Sequence, residues 1–174
     1  IHGEIWATNI KEVLKENGLL ERPIHVISAN MHSVMNSIFA TNVLKTQFKD
    51  KSDFFIYEEL SKSGAHEVRN KVQEVALKQG MISVPDSSGT NIDVQIFDTA
   101  KINWANSSFP DAKLGDKQPV LIVMDYAFGE QAYETIDELL KPFKKDILLN
   151  VESVSIMGKA GILEGGKGDI MIPN

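Results

Sequence analysis

An α/β domain, with a mixed and largely parallel sheet flanked by helices, is the fold this sequence predicts, on three observations. Short apolar runs at residues 24–29, 120–124 and 151–157 alternate with segments of helical period. Residues 119–124, PVLIVM, form an apolar run without a polar break, the pattern of a central strand covered on both faces. Strand, helix, strand order implies right-handed crossovers, and in such sheets ligands gather beyond the carboxyl ends of the strands.

Each element follows from its own pattern. Residues 4–17 place Ile5, Trp6, Ile10, Val13 and Leu14 on one helical stripe, and Gly18 stands where a left-handed stop belongs. After Pro23, IHVISA reads as a short buried strand that turns into a second helix, where Met31, Val34, Met35, Ile38, Phe39 and Val43 repeat at three and four. Here Met31 and Met35 read as core gap-fillers. Residues 54–57 are expected as a further short strand, and Ser63 as the cap of a surface helix through Val68, Val72, Val75 and Ala76 to Gly80. Around a Pro-Asp-Ser-Ser-Gly turn at 85–89, residues 82–84 and 92–97 read as a hairpin. Alternation of Ile92, Val94 and Ile96 with polar neighbours predicts one wet face. Residues 99–118 lack any period and are expected as a long flexible loop. From about Gly129 a helix carries Ala132, Ile136, Leu139, Leu140 and Phe143 on one stripe, residues 151–157 return as a strand, and 170–172 add a last one.

Composition bounds the function. The 174 residues are one domain's length, and with 43% apolar and 24% charged side chains they can bury a core. Eighteen basic against 24 acidic residues leave a formal charge of −6. Only two arginines, Arg22 and Arg69, and no basic block disfavour a nucleic-acid partner, because phosphate binding needs clustered cations. Zero cysteines removes disulfides, thiolate catalysis and thiolate zinc sites. The histidines show no metal-ligand spacing, so neither a metal nor a cofactor is expected. No run approaches a membrane span and no secretory segment leads the chain, which predicts a cytoplasmic protein without a membrane partner. A start at Ile1 and a finish at Asn174 just past an apolar run suggest a piece of a longer domain.

The densest signal is the glycine-rich stretch at 158–168, where bare backbone could approach an anion or a planar ring. Gly161, Gly166 and Lys167 match most of the phosphate-loop spacing, but Gly168 stands where the magnesium-binding hydroxyl belongs and a strand follows where a helix is needed. That motif is rejected, and a tight connection between paired strands is the plain structural alternative.

VSIMGKAGILEGGKGDIMIP, residues 154–173, resembles the signature of the purine nucleoside and uridine phosphorylase family. The upstream strand, glycine turn and helix at 120–143 are also similar, and IHVISANMHSV more distantly resembles the family's first strand and turn. The resemblance covers about 24–44 and 119–173. It implies a phosphorylase-like fold, a nucleoside, nucleotide or base as ligand, a homo-oligomer, and a binding turn at Gly158, Lys159, Ala160 and Gly161, with Asn30 in the first turn. Glycosidic bond cleavage is implied only for a completed domain. The family's later half, which supplies its ribose-binding glutamate and base-protonating aspartate, would begin after residue 173. Family members carry Ser or Thr where Lys159 stands, and hexameric phosphorylases place a phosphate-binding arginine where this chain has Ile156. Nucleosidases have an acid where this turn reads Asn30-Met31-His32-Ser33.

Two residues are candidates for catalysis. Asp125 directly follows the most apolar strand and reads either as a carboxylate at the ligand edge or as a turn cap. His32, near the end of the first strand, is a candidate general base, or else a surface histidine. Tyr126 and Phe128 could stack on a base or pack a turn. A non-catalytic ligand-sensing or assembly domain is the second functional reading, on the missing acid, arginine and hydroxyl.

Overall fold

Three parallel strands stand side by side at one end of the sheet in the computed structural model, which describes residues 1–144 and 146–158. Helix α1 (His2–Glu16) leads into β1 (Ile24–Ser28) and α2 (Met31–Leu44). Helices α3 (Asp53–Ser61) and α4 (His66–Lys78) precede the hairpin of β2 (Met81–Val84) and β3 (Val94–Asp98). Strand β4 (Val120–Met124), helix α5 (Gly129–Leu140) and β5 (Val151–Ile156) follow. The sheet order is β2-β3-β4-β1-β5. β1 pairs in parallel with β4 and β5, while β3 pairs antiparallel with β2 and β4. The fold is thus α/β with a mixed sheet in which parallel and antiparallel pairs are equal in number.

Helices cover both faces, which explains the continuous apolar runs. Alternate residues Ile24, Val26, Val94, Ile96, Val120 and Ile122 join Trp6, Ile10, Leu14 and Leu139 in a core under α1 and α5. Phe97 and Val123 point the other way, into a second core with Met35, Phe39, Leu44, Ile56, Val72 and Ala76. Phe97 lies flat against Phe39, ring centroids 6.5 Å apart. Strand β4 is central, as its sequence predicts.

Four local expectations are corrected. Residues 54–57 are helical, within α3, although Phe, Ile and Tyr favour strands. The Ser52 hydroxyl accepts the Phe55 N–H at 3.2 Å, and burying Ile56 and Leu60 four residues apart makes a helical stripe decisive. Ser63 does not cap α4: Ala65 takes that position without a side-chain bond, and the Ser63 carbonyl instead accepts from Arg69. β3 has no wet face, since all five residues are buried between flanking strands and two helical layers. In α1, Ile5 is 42% exposed, and the inward stripe is Trp6, Ala7, Ile10, Lys11 and Leu14. The Lys11 ammonium donates to the carbonyls of Glu138 and Lys141, both at 2.8 Å, so a buried cation closes the end of α5. Burial holds it below the ordinary lysine range, partly offset by Glu138.

Gly18 is left-handed at φ +68°, following α1. Residues 99–118 hold only two short 3₁₀ turns, Thr99–Lys101 and Trp104–Asn106, anchored by buried Ile102 and by Trp104, whose indole donates to Thr99 O. The expected strand at 170–172 lies outside the described residues. Among the described residues, no helix is long and apolar enough to cross a membrane.

Candidate functional site

The carboxyl ends of β4, β1 and β5 converge because these three strands are parallel neighbours. The Ala29 N–H donates to Met124 O at 3.0 Å, and the Met157 N–H to Ser28 O at 2.8 Å. These two bonds carry the ladder to its last residues, so the turns at Asn30, Asp125 and Gly158 leave the same edge. Sequence reading selects these three turns separately, and the topology brings them together.

Asn30 opens α2 as its N-cap, its Oδ1 accepting the His32 N–H at 3.0 Å. That role fits an Asn between a strand and a helix whose first amides lack intrahelical partners. Asn30 and the exposed His32 line a polar cavity of about 470 Å³, together with Ser33, Asn36 and Ser37 from the same helix. Tyr57, Leu60 and Ser61 of α3 and Arg69 of α4 form the opposite wall. The Asn36 Oδ1 is itself buried and has no hydrogen-bond partner among the described residues. An unpaired buried acceptor costs about 1–3 kcal/mol.

Arg69 brings its charge to the cavity with both Nη groups already engaged. Nη1 bonds the carbonyls of Leu60 and Lys62 at 3.2 Å, and Nη2 reaches Ser63 O at 3.4 Å, so the guanidinium ties the end of α3 to α4. Arg22 is likewise engaged, 2.6 Å from Asp98 and 2.7 Å from Gln118 O. Both arginines therefore serve the fold.

Asp125 stands at the same edge but outside the polar cavity. Its N–H donates to Asp93 O at 3.0 Å, and its Oδ1 accepts the Tyr126 N–H at 2.8 Å, the turn-capping geometry anticipated as one alternative. Tyr126 and Phe128 pack on each other at 6.1 Å between centroids, with Phe128 75% exposed. A side chain placed on Gly158 would meet the Tyr126 ring at 4.0 Å, ordinary contact, so Gly158 borders this aromatic pair with room to spare. Lys159, Ala160 and Gly161, expected in the binding turn, lie outside the described residues.

A second hollow of about 360 Å³ flanks the same edge on the α5 side. Met124, Ala127, Ile136, Leu140, Val154 and Ile156 make it apolar. The edge thus offers a polar chamber on one face of the sheet and an apolar one on the other. Among the described residues, no three His, Asp or Glu side chains cluster as metal ligands.

Sequence reading missed Asn36, Ser37, Tyr57 and Arg69. The first two were within reach, since Asn36 and Ser37 lie four residues beyond His32 and Ser33 on one helical face. Tyr57 was hidden by the strand reading of 54–57, and Arg69 is brought to the cavity only by the α3–α4 turn.

Fold and site together define an α/β domain with a polar cavity at the carboxyl ends of parallel strands. The chain belongs to the family of unknown function DUF6909, whose model matches residues 42–174, more than three quarters of its length. No curated protein and no solved structure matches it. The matched range begins near the end of α2 and leaves out β1, yet β1 is the strand that joins β4 to β5. The folded unit therefore extends upstream of the matched range.

Proposed function

We propose that this domain binds a nucleoside, nucleotide or free base at the carboxyl edge of β4, β1 and β5, with its polar part in the cavity behind Asn30 and His32. The observation that carries the reading is the convergence of three separately selected turns on one edge beside a polar cavity. The phosphorylase-like signature at 154–173 supports the ligand class. Tyr126 with Phe128 offers an aromatic surface beside Gly158.

The test is binding of adenosine, inosine, uridine and AMP, each with and without inorganic phosphate, followed by calorimetry and by chromatography of released base. His32→Ala and Asn36→Ala should each weaken binding about 10-fold, roughly 1.4 kcal/mol, with the circular dichroism spectrum unchanged. Equal affinity in both variants, or no binding of any panel member, overturns the reading. Base release lost in His32→Ala would make this edge catalytic, and dependence on phosphate would name the nucleophile.

A non-catalytic sensing or assembly role is the second reading. It is favoured by the engagement of both arginines in the fold and of Asp125 with its own turn. Glycosidic cleavage needs a held nucleophile and protonation of the departing base, and binding without base release by this chain would support this role.

A further inference from the structure

An apolar slot of about 240 Å³ lies against α2 where the segment 99–118 passes it. Val34 and Ile38 of α2, Leu121 of β4 and Met157 line it, and the segment contributes Trp104 and Phe109. Ser33 and Ser37 border both this slot and the polar cavity, so the two spaces adjoin along one helix with only small side chains between them. The Ser37 hydroxyl donates back to Ser33 O at 2.8 Å, which keeps it along the helix rather than across the passage. The aromatic wall is held by bonds. The Ser108 N–H donates to Ile38 O at 3.2 Å and fastens the segment to α2. The Ser107 hydroxyl donates to Trp104 O at 2.8 Å and accepts the Phe109 N–H at 2.9 Å, and the Asn103 N–H reaches Gln79 Oε1 at 2.8 Å. Because the Trp104 indole N–H is already spent on Thr99 O, that ring offers the slot apolar surface.

On the reading that the polar cavity holds the ligand's polar part, we propose that the ligand's base occupies this slot and that Phe109 is a specificity-determining residue. The linkage between base and sugar then crosses α2 at Ser33 and Ser37. Size fits, since an apolar cavity of about 150 Å³ takes up benzene. Chemistry fits as well: small-molecule sites are mostly apolar and aromatic, with a few polar groups that fix orientation, and here the two kinds of surface are contiguous. Phe109 is 49% exposed although it is tied down through Ser107, so an incoming ring has aromatic surface left to cover. Tyr126 and Phe128, by contrast, do not border the polar cavity. Two adjoining compartments also narrow the ligand class. A free base fills only the slot, whereas a nucleoside or nucleotide fills both.

The experiment combines nuclear magnetic resonance and calorimetry on the full 174-residue chain, using whichever of adenosine, inosine, uridine and AMP binds most tightly. Base protons should show contacts to the methyl groups of Val34 and Ile38. Phe109→Ala should weaken binding about 10-fold while Phe128→Ala leaves it unchanged, and the matching free base should bind about 10-fold more weakly than the nucleoside or nucleotide. Base contacts to Tyr126 and Phe128, with the loss of affinity in Phe128→Ala instead, overturn the proposal and leave the polar cavity as a ligand site. So does a free base that binds as tightly as its nucleoside. Absence of binding by all four compounds overturns the reading of the polar cavity itself, and the role of the slot with it. The methyl contacts in the unaltered chain decide the matter even if a variant fails to fold.

Discussion

Asp86 holds together the loop between β2 and β3, and its replacement should destabilise the protein in a pH-dependent way. Oδ1 accepts the Ser88 N–H at 2.9 Å, the Ser88 hydroxyl at 2.6 Å and the Thr90 hydroxyl at 3.2 Å. Oδ2 accepts the N–H groups of Gly89 at 3.0 Å and Asn91 at 2.8 Å. Burial works to raise the carboxyl pKa, but the bonds from Ser88, Asn91 and Thr90 outweigh it and lower it from 3.8 to about 2. The loop also fastens two helices, through the His2 ring nitrogen on Ser88 O and the Gln131 amide on Thr90 O. At about 1.4 kcal/mol per pKa unit, a fall of nearly two units has a ceiling of ~2.5 kcal/mol, which solvent screening at this half-buried loop reduces to about 1–2 kcal/mol.

The sign follows from a folded-state pKa below the unfolded one. The stabilisation is complete above about pH 4 and disappears as pH falls toward 2. Urea unfolding of Asp86→Ala at pH 6 should show a loss of about 2–3 kcal/mol, because the stranded loop donors add to the lost charge. Between pH 4 and pH 2 the gap between the two proteins should narrow by about 1–2 kcal/mol. A gap that stays constant over that interval would refute the assignment of acid sensitivity to Asp86. A loss under about 0.5 kcal/mol at pH 6 would refute the structural role itself.

Two further substitutions probe the fold. Asp98, 4% exposed, receives Arg22 at 2.6 Å and the Ala100 N–H at 3.1 Å. Asp98→Ala should cost about 3 kcal/mol in chemical unfolding, since it strands the guanidinium beside β4, and Arg22→Met with Asp98→Leu together should cost less than Asp98→Ala alone. Phe97→Ala empties the centre of the second core against Phe39 and should cost about 3–5 kcal/mol, read as a fall in unfolding midpoint at unchanged slope.

Much of the candidate site was legible in fragments. Asn30 follows an apolar strand and precedes a helical stripe, so its place at a strand end is written locally. The same holds for Asp125 after VLIVM and for Gly158 after the last described strand. What no fragment contains is their adjacency. It depends on β1 inserting between β4 and β5, and on backbone bonds such as Ala29 to Met124 and Met157 to Ser28, which join positions far apart in the chain. The cavity walls contributed by Tyr57 and Arg69 depend instead on how α3 and α4 pack against α2.

By itself, the sequence determined what is read over one or two turns of chain. The helical stripe in α2, the uninterrupted apolar β4, the Asp86 turn and the left-handed Gly18 each reflect local geometry and local burial. Tertiary structure alone decided the rest, because burial on a second face comes from neighbours the segment does not encode. Full burial of β3 turned an alternating pattern into an interior strand, and packing of Ile56 and Leu60 made a helix of a stretch rich in strand-favouring residues. Sheet order and direction also belong to tertiary structure. The two-sided core selects which strands adjoin, and only that choice brings the separate turns onto one edge.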